Sequence, residues 1–460
     1  MIYTLSQFQE FVPKRPTFAL FGYPIAHSVS PQLHKLLFEH NQVDADYIAV
    51  EIPPDQLREA FALAKEKCRG CNLTIPHKID VLPLLDEIDE DAKSLGSVNT
   101  VLFSDGKAYG YNTDLDGMSL AFSVDGISLA RKDALILGNG GVSAMAAYLC
   151  AKHGSAVTVC AREPQGQKAR HLQQLLRRCG YEIQLTDFSH IPQQTQIVIN
   201  GTPVGMSPEE GCSPLSLAHC PQAEYLFDCI YNPRRTAFIQ EARKRSIPCQ
   251  DGLLMLVGQA AKAQQIWLSK QFSQKQLLDT KEVLAAKLAL KRLKERYHRD
   301  NLVLCGFMGC GKTSVANRLG KLLGISPVDT DELVEQREGK PISVIFKEHG
   351  EEAFRRLERE AVREVSSRQG AVISLGGGAV LDPRNVELLG KRGFIVWLDT
   401  PIERILEVLQ GDTARPLARG GEPELRARHA SRAPVYRHVC DLRVQGVTVD
   451  ELCKELMESI

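Results

Sequence analysis

The sequence has no excess of either charge: 56 Lys+Arg stand against 56 Asp+Glu over 460 residues. A surface that gathers nucleic acid or anionic membrane as a whole is therefore excluded, and any anionic ligand must be met by groups placed locally. No uninterrupted apolar run approaches the ~18 residues that a bilayer-spanning helix needs. The opening MIYTLSQFQEFVPKRP has no apolar core of signal-peptide type. Tandem repeats and low-complexity tracts are missing too. The 13 cysteines are odd in number and scattered from Cys68 to Cys453, which fits free thiols in a reducing compartment better than a disulfide scaffold. A cytoplasmic protein is expected, with no membrane and no nucleic acid among its partners. The 43% of hydrophobic residues rules out disorder, and the length predicts two to four domains at roughly 100–200 residues each.

Two segments read as strand, glycine loop, helix. One is ALILGNGGVS at 134–143, running on into AMAAYLCAKHG; the other is LVLCGFMGCGKT at 302–313, followed by SVANRLGKLLG. Each apolar run is short and β-rich, and each following stretch has helical spacing. Two phosphate-type loops predict two nucleotide sites, hence two catalytic modules of α/β class. Between them, 281–300 reads as a helix with apolar Val283, Leu284, Leu288, Leu290 and Leu293. Its seven Lys/Arg against three Asp/Glu leave it cationic, and it is expected to be a solvated linker over 276–300.

The pattern at 138–143 is GxGGxS, short of the full GxGxxG, and draws its meaning from context. In a dinucleotide fold, Gly138, Asn139, Gly140, Gly141 and Val142 would bring backbone amides to the pyrophosphate at a helix N-terminus. A second strand at 156–160 ends in Arg162, placed to accommodate a 2′-phosphate and so to favour NADP(H). Glu163 beside it is of the type that selects a 2′-hydroxyl, and the preference stays open at this point.

Upstream and downstream lie GYPIAHSVSP at 22–31, NLTIPHK at 72–78, GSVNT at 96–100, NTD at 112–114, NGTPVGM at 200–206, DCIYNP at 228–233 and DGLLMLVGQAA at 251–261. In this order the set resembles the shikimate dehydrogenase family from about Thr17 to Trp267. The resemblance implies a shikimate-binding domain at 17–118 plus 250–275 and a Rossmann-like NADP domain at 119–249, with Gly252 also at the cofactor. It makes Lys78 and Asp114 a catalytic dyad, with Ser28, Ser30, Thr74, Asn99, Tyr231 and Gln259 around the substrate. The chemistry suits those types, since hydride delivery to a ketone develops charge on an oxygen that an ammonium can stabilise and protonate. Departures from the family pattern are Leu115-Asp116 before Gly117, His77 where phenylalanine is usual, and 161–163 as ARE. Cys68 and Cys71 form a lone CxxC, read as structural.

In the second half, 306–313 satisfies GxxxxGK[ST]. Gly309, Cys310, Gly311 and Ser314 would cradle ATP phosphates, Lys312 would reach the β/γ oxygens, and Thr313 would hold Mg²⁺. With DTD at 329–331, FRRLE at 354–358, SLGGGAV at 374–380, RPL at 415–417 and RAPVY at 432–436, the region 301–460 resembles shikimate kinase, a P-loop fold of nucleoside-monophosphate-kinase type. The resemblance gives Arg355 and Arg432 the substrate carboxylate, Asp331 the attacking hydroxyl and Asp329 support of the Mg²⁺. Gly376, Gly377 and Gly378 would allow close backbone approach, and Arg415 would act on the transferring phosphoryl group. The implied function is bifunctional: 3-dehydroshikimate reduced to shikimate, then shikimate phosphorylated by ATP. The alternatives are a quinate/shikimate dehydrogenase fused to the kinase, or one module without catalysis. Oligomeric state is not legible.

Overall fold

The computed structural model describes residues 2–410 and 421–460. The chain divides into two compact units, Met1–Lys281 and Glu282–Ile460. The first unit contains two sheets. A seven-stranded sheet runs in the order Ile2–Tyr3, Asp46–Glu51, Thr17–Gly22, Gly70–Leu73, Thr100–Ser104, Lys107–Tyr111, Glu87–Ile88. Its first four strands are parallel, and the pairings of Gly70–Leu73 with Thr100–Ser104 and of that strand with Lys107–Tyr111 are antiparallel.

The second sheet is wholly parallel, in the order Gln184–Thr186, Ala156–Cys160, Asp133–Leu137, Ile197–Asn200, Tyr225–Asp228, Cys249–Asp251. Alternate residues serve separate cores. Ala134, Ile136, Ile197, Ile199, Tyr225 and Phe227 face one cluster, while Leu135, Leu137, Val198 and Leu226 face another. Helices cover both faces, so these strands read as nearly continuous apolar runs. Strand order reverses beside Asp133–Leu137, and the crevice opposite the carboxyl ends of such strands is where ligands bind in doubly wound sheets. The glycine loop at 138–141 leaves from that end.

The second unit repeats the logic with five parallel strands, ordered Val328–Asp329, Val372–Ser374, Asn301–Cys305, Gly393–Asp399, Leu442–Gln445. Again the first strand in sequence lies inside the sheet, and its carboxyl end carries the loop 306–311. The α/β class expected from the sequence is the class found.

The stretch read as a linker forms the helix Gln274–Tyr297. It is not solvated all round: Leu284 and Leu293 are fully buried. Leu278 packs against the core of the first unit, whereas Glu282 pairs with Arg318 and the Tyr297 ring packs on Phe394 in the second. Among the described residues no helix is long and apolar enough to cross a membrane.

Candidate active sites

Past the end of the strand Gly70–Leu73 the chain turns into the short helix His77–Asp80, closed by the His77 amide donating to the Thr74 carbonyl at 2.9 Å. His77 is buried, with its Nε2 2.7 Å from the Ile52 carbonyl, and burial lowers its pKa. A neutral ring donating there pins the helix, which explains how histidine serves where the family uses phenylalanine. Lys78 is thereby aimed at Asp114, with Nζ to Oδ2 at 2.6 Å and side chains 28% and 21% exposed. An ammonium and a carboxylate, touching and open to a ligand, are what proton transfer at an oxygen requires.

Asp114 lies in the first turn of the helix Thr113–Val124, whose positive end favours its charge. That start is set by Asn99, whose Oδ1 accepts from the Thr113 amide at 2.8 Å and from the Thr113 and Thr100 hydroxyls at 3.2 and 3.1 Å. Asn99 is therefore a scaffold for Asp114 on its oxygen side, and only its amide nitrogen faces other duties. The helix Leu253–Leu268 approaches closely at Gly117, where a Cβ would stand 2.3 Å from the Met255 carbonyl and 2.9 Å from the Gln259 amide. This contact brings Gln259 alongside the helix of Asp114. Asp116, one of the two departures before Gly117, pairs with Lys262 at 3.0 Å across the same two helices.

Ser28, Ser30, Thr74 and Tyr231 are partly exposed. Gly22 sits under Thr74, so the loop that leads to Ser28 and Ser30 begins beside it. Ser28 Oγ accepts from the Ser30 amide at 3.3 Å, and burial pushes the Tyr231 phenol up.

Gly138 adopts φ +95°, a left-handed conformation that a side chain would strain, and opens the turn into the helix Gly141–Lys152. That helix has no side-chain cap; Gly140, Gly141 and Val142 are exposed, and Asn139 is half-buried. Its first amides are thus available to an anion. Ser143 anchors the turn through the Leu137 and Gly201 carbonyls, each at 3.3 Å. Arg162 follows the strand Ala156–Cys160, exposed and without an ion pair among the described residues. The Glu163 carboxylate folds back against Gly166. A free guanidinium beside a turned-away carboxylate fits a 2′-phosphate better than a 2′-hydroxyl. Gly252 donates to the Ile230 carbonyl at 3.0 Å, and a Cβ there would stand 2.2 Å from the Cys229 carbonyl.

In the second unit a cavity of about 410 Å³ is lined by Gly309, Gly311, Lys312, Thr313, Ser314, Asp329, Asp331, Arg355, Glu358, Gly377, Gly378 and Arg432, among others. Lys312 starts the helix Lys312–Leu323, and its Nζ donates to the carbonyls of Gly306 and Phe307 at 3.0 and 2.9 Å. Cys310 is buried, with its carbonyl held by the Thr400 hydroxyl at 3.0 Å. The Asp329 carboxylate accepts from Thr313 and Ser374 hydroxyls, both at 2.8 Å, and caps the helix Thr330–Glu338 through the Asp331 amide at 2.9 Å. Clustered hydroxyl and carboxylate oxygens are hard donors of the kind Mg²⁺ takes.

Arg355 is held by buried Glu358 at 2.8 Å and by Glu351 at 2.9 Å. Arg432 Nη1 and the Tyr436 hydroxyl both donate to the Gly377 carbonyl, at 3.3 and 2.7 Å. A Cβ on Gly376 would meet Asp331, and one on Gly378 would meet Arg355, each at 2.4 Å. At both positions the glycine lets the end of a polar side chain lie against the backbone. Arg415 lies outside the described residues.

Sequence reasoning left several site neighbours without a role: Glu358, Ser374, Tyr436, and the buried pair Arg234–Asp251 at 2.7 Å next to Gly252. Glu358 and Tyr436 stood inside quoted motifs, and a buried polar residue beside a functional one was the signal available. Cys68 and Cys71 are both buried, which pushes their thiols up, Cys68 to about 12, so neither is a thiolate at neutral pH. A second concavity of about 620 Å³ is lined by Lys14, Arg15, Lys65, Lys67, Arg69 and Lys107. Its charge is answered locally. Arg15 pairs with Asp44 and Asp46, Lys65 with Asp86 and Lys107 with Glu87, and Glu66 and Asp105 line the same wall.

Residues 20–101 match the family described as the shikimate dehydrogenase substrate binding domain, and residues 308–460 match shikimate kinase. A shikimate dehydrogenase (NADP(+)) from Shouchella clausii is 36% identical over 262 residues, 56% of this chain and 94% of that protein. Among solved structures, a chorismate mutase/shikimate 5-dehydrogenase fusion from Clostridium acetobutylicum superposes with a TM-score of 0.55 at 30% identity, covering 60% of this chain and 99% of its own. The shikimate 5-dehydrogenase of Thermus thermophilus, solved with NADP(H) and shikimate, gives 0.53 at 31% identity, covering 58% and 98%. In its first unit this chain belongs to the shikimate dehydrogenase family, and in its second it carries a shikimate kinase domain.

Proposed function

We propose that the chain is a bifunctional enzyme that reduces 3-dehydroshikimate to shikimate with NADPH and then phosphorylates shikimate at the expense of ATP. The observation that carries this reading is the coexistence of two polar sites, one beyond the strand Gly70–Leu73 of the mixed sheet and one at the carboxyl ends of the parallel sheet of the second unit. The contact between Lys78 and Asp114 marks one, and the cavity around Lys312, Asp329 and Arg355 marks the other.

In the first unit the amides at 139–142 hold the pyrophosphate and Arg162 the 2′-phosphate. NADPH supplies the hydride when bound. Lys78 stabilises the oxygen of the substrate carbonyl as negative charge develops and passes a proton to it. Asp114 orients Lys78 through their contact at 2.6 Å. Gln259, Tyr231, Ser28, Ser30, Thr74 and the Asn99 amide nitrogen orient the carboxylate and hydroxyls of the ring.

In the second unit Arg355 and Arg432 hold the carboxylate of shikimate, with Glu358 keeping the Arg355 fork in place. Asp331 accepts the proton of the attacking hydroxyl. Lys312 and the amides of 309–314 neutralise the phosphates, and Thr313 and Asp329 would hold Mg²⁺, which would supply further neutralisation of phosphate charge. Small molecules are the partners, and a cytoplasmic setting suits their supply.

The test is an assay of each half. Shikimate-dependent reduction of NADP should exceed that of NAD, and shikimate should exceed quinate as substrate. ADP formation should require shikimate. NADP reduction without any shikimate-dependent ADP formation would leave the kinase half without catalysis.

A further inference from the structure

Three buried hydrogen bonds converge on a side chain that the reaction above does not use. Asp228 ends the strand Tyr225–Asp228 and is fully buried. Its Oδ1 accepts from Asn200 Nδ2 at 2.9 Å and from the Ile230 amide at 3.2 Å, and its Oδ2 accepts from Thr236 Oγ1 at 2.6 Å. Asn200 in turn accepts from the Thr202 amide and hydroxyl at 3.0 and 2.7 Å. Thr202 packs on the cofactor loop, its methyl 2.8 Å from where a Cβ on Gly138 would stand. On the other side, Ile230 precedes Tyr231 and accepts from the Gly252 amide.

We propose that Asp228 is a positioning residue of the dehydrogenase site, a single carboxylate that ties the loop of Thr202, beside the cofactor glycines, to the loop of Tyr231, beside the substrate. The inference rests on the dehydrogenase reading given above.

All three neighbours donate to it, so the ionised carboxylate accepts every bond they offer. Thr236 Oγ1 also accepts from the Ile239 amide at 3.2 Å, capping the helix Ala237–Lys244 while its proton goes to Asp228. Protonation of Asp228 removes the charge that strengthens these bonds and turns the Thr236 hydroxyl from donor to acceptor, which loosens the link. Burial pushes the Asp228 carboxyl up to about 6, within reach of mildly acidic conditions. The charged and titratable groups that face it act in the same sense or not at all. Asp251 on the adjoining strand raises it further, although Asp251 is itself paired with Arg234. The Cys229 thiol, pushed up by burial, stays neutral.

The test uses the full chain. In Asp228→Asn the side chain can still accept from Asn200 and Ile230, but it turns an N–H toward Thr236. Its Michaelis constants for NADP and shikimate should rise about tenfold with a smaller change in kcat. Parental dehydrogenase kcat/KM should fall as pH drops through about 6, and that limb should vanish in Asp228→Asn. A second variant, Thr236→Val, removes one donor to the carboxylate and should move the limb to higher pH. Parental Michaelis constants with the acid limb intact in Asp228→Asn overturn the positioning role alone. If Asp228→Asn fails to fold, an unmoved limb in Thr236→Val overturns it. A parental chain without shikimate-dependent NADP reduction overturns the dehydrogenase reading and this role together.

Discussion

At the scale of single residues, charge placed at a reacting atom separates catalysis from binding. Lys78→Ala removes the ammonium that contacts Asp114 and should cost dehydrogenase turnover on the order of 10²–10⁴-fold, the usual worth of a positioned acid–base group. Steady-state reduction of 3-dehydroshikimate checks it, and near-parental turnover would remove Lys78 from the chemistry. With Arg162 at the 2′-phosphate as proposed, Arg162→Asp should exchange attraction for repulsion there. Its effect on the NADP Michaelis constant should be roughly 10-fold or more with NAD nearly untouched, since a charge-assisted hydrogen bond is worth about 1.5–3 kcal/mol. Equal effects on both cofactors would place the guanidinium elsewhere. In the kinase, Glu358 holds Arg355 from a buried position. Glu358→Gln should raise the shikimate Michaelis constant about tenfold and leave that of ATP nearly unchanged, which initial-rate kinetics in both substrates resolves.

At the scale of elements, the first site lies beside two helices whose backbones approach closely at Gly117. Gly117→Val would force branched carbon against the Met255 carbonyl and push the helix Leu253–Leu268 away, carrying Gln259 with it. Overpacking of this sort costs about 1–3 kcal/mol, so a lowered unfolding temperature should accompany a raised shikimate Michaelis constant. Lowered stability with unaltered kinetics would show that the helix contact does not place the site. Much of this was legible in the sequence. The chemistry-bearing residues sit in short contiguous motifs at strand ends, and apolar runs flanked by glycine loops announce parallel sheets. What escaped was long-range. Asn99 reads as a substrate donor, and nothing local shows its oxygen committed to Thr113 and Thr100. Asp228 meets Asn200 across 28 residues of chain, and nothing local shows that Glu358 is buried against Arg355. Periodicity likewise read a helix at 281–300, found as Gln274–Tyr297, but not which of its faces would be covered.

At the scale of the whole molecule, the helix Gln274–Tyr297 decides where the second unit begins. The shikimate kinase match starts at residue 308, yet Glu282 pairs with Arg318, Arg292 Nε donates to the Ile460 carbonyl, and Tyr297 packs on Phe394. A kinase fragment of 274–460 should therefore unfold at a higher temperature than one of 301–460; equal midpoints would make the helix a mere connector. The central claim is that one chain performs two consecutive steps. The most direct measurement supplies the intact protein with 3-dehydroshikimate, NADPH, ATP and Mg²⁺ and follows NADPH, ADP and the phosphorylated product together. The account predicts that, at completion, one NADPH is oxidised and one ADP formed for each shikimate 3-phosphate made, with no ADP when NADPH is withheld. NADPH oxidation that ends at shikimate, or ADP formation that proceeds without the reduction, would contradict it.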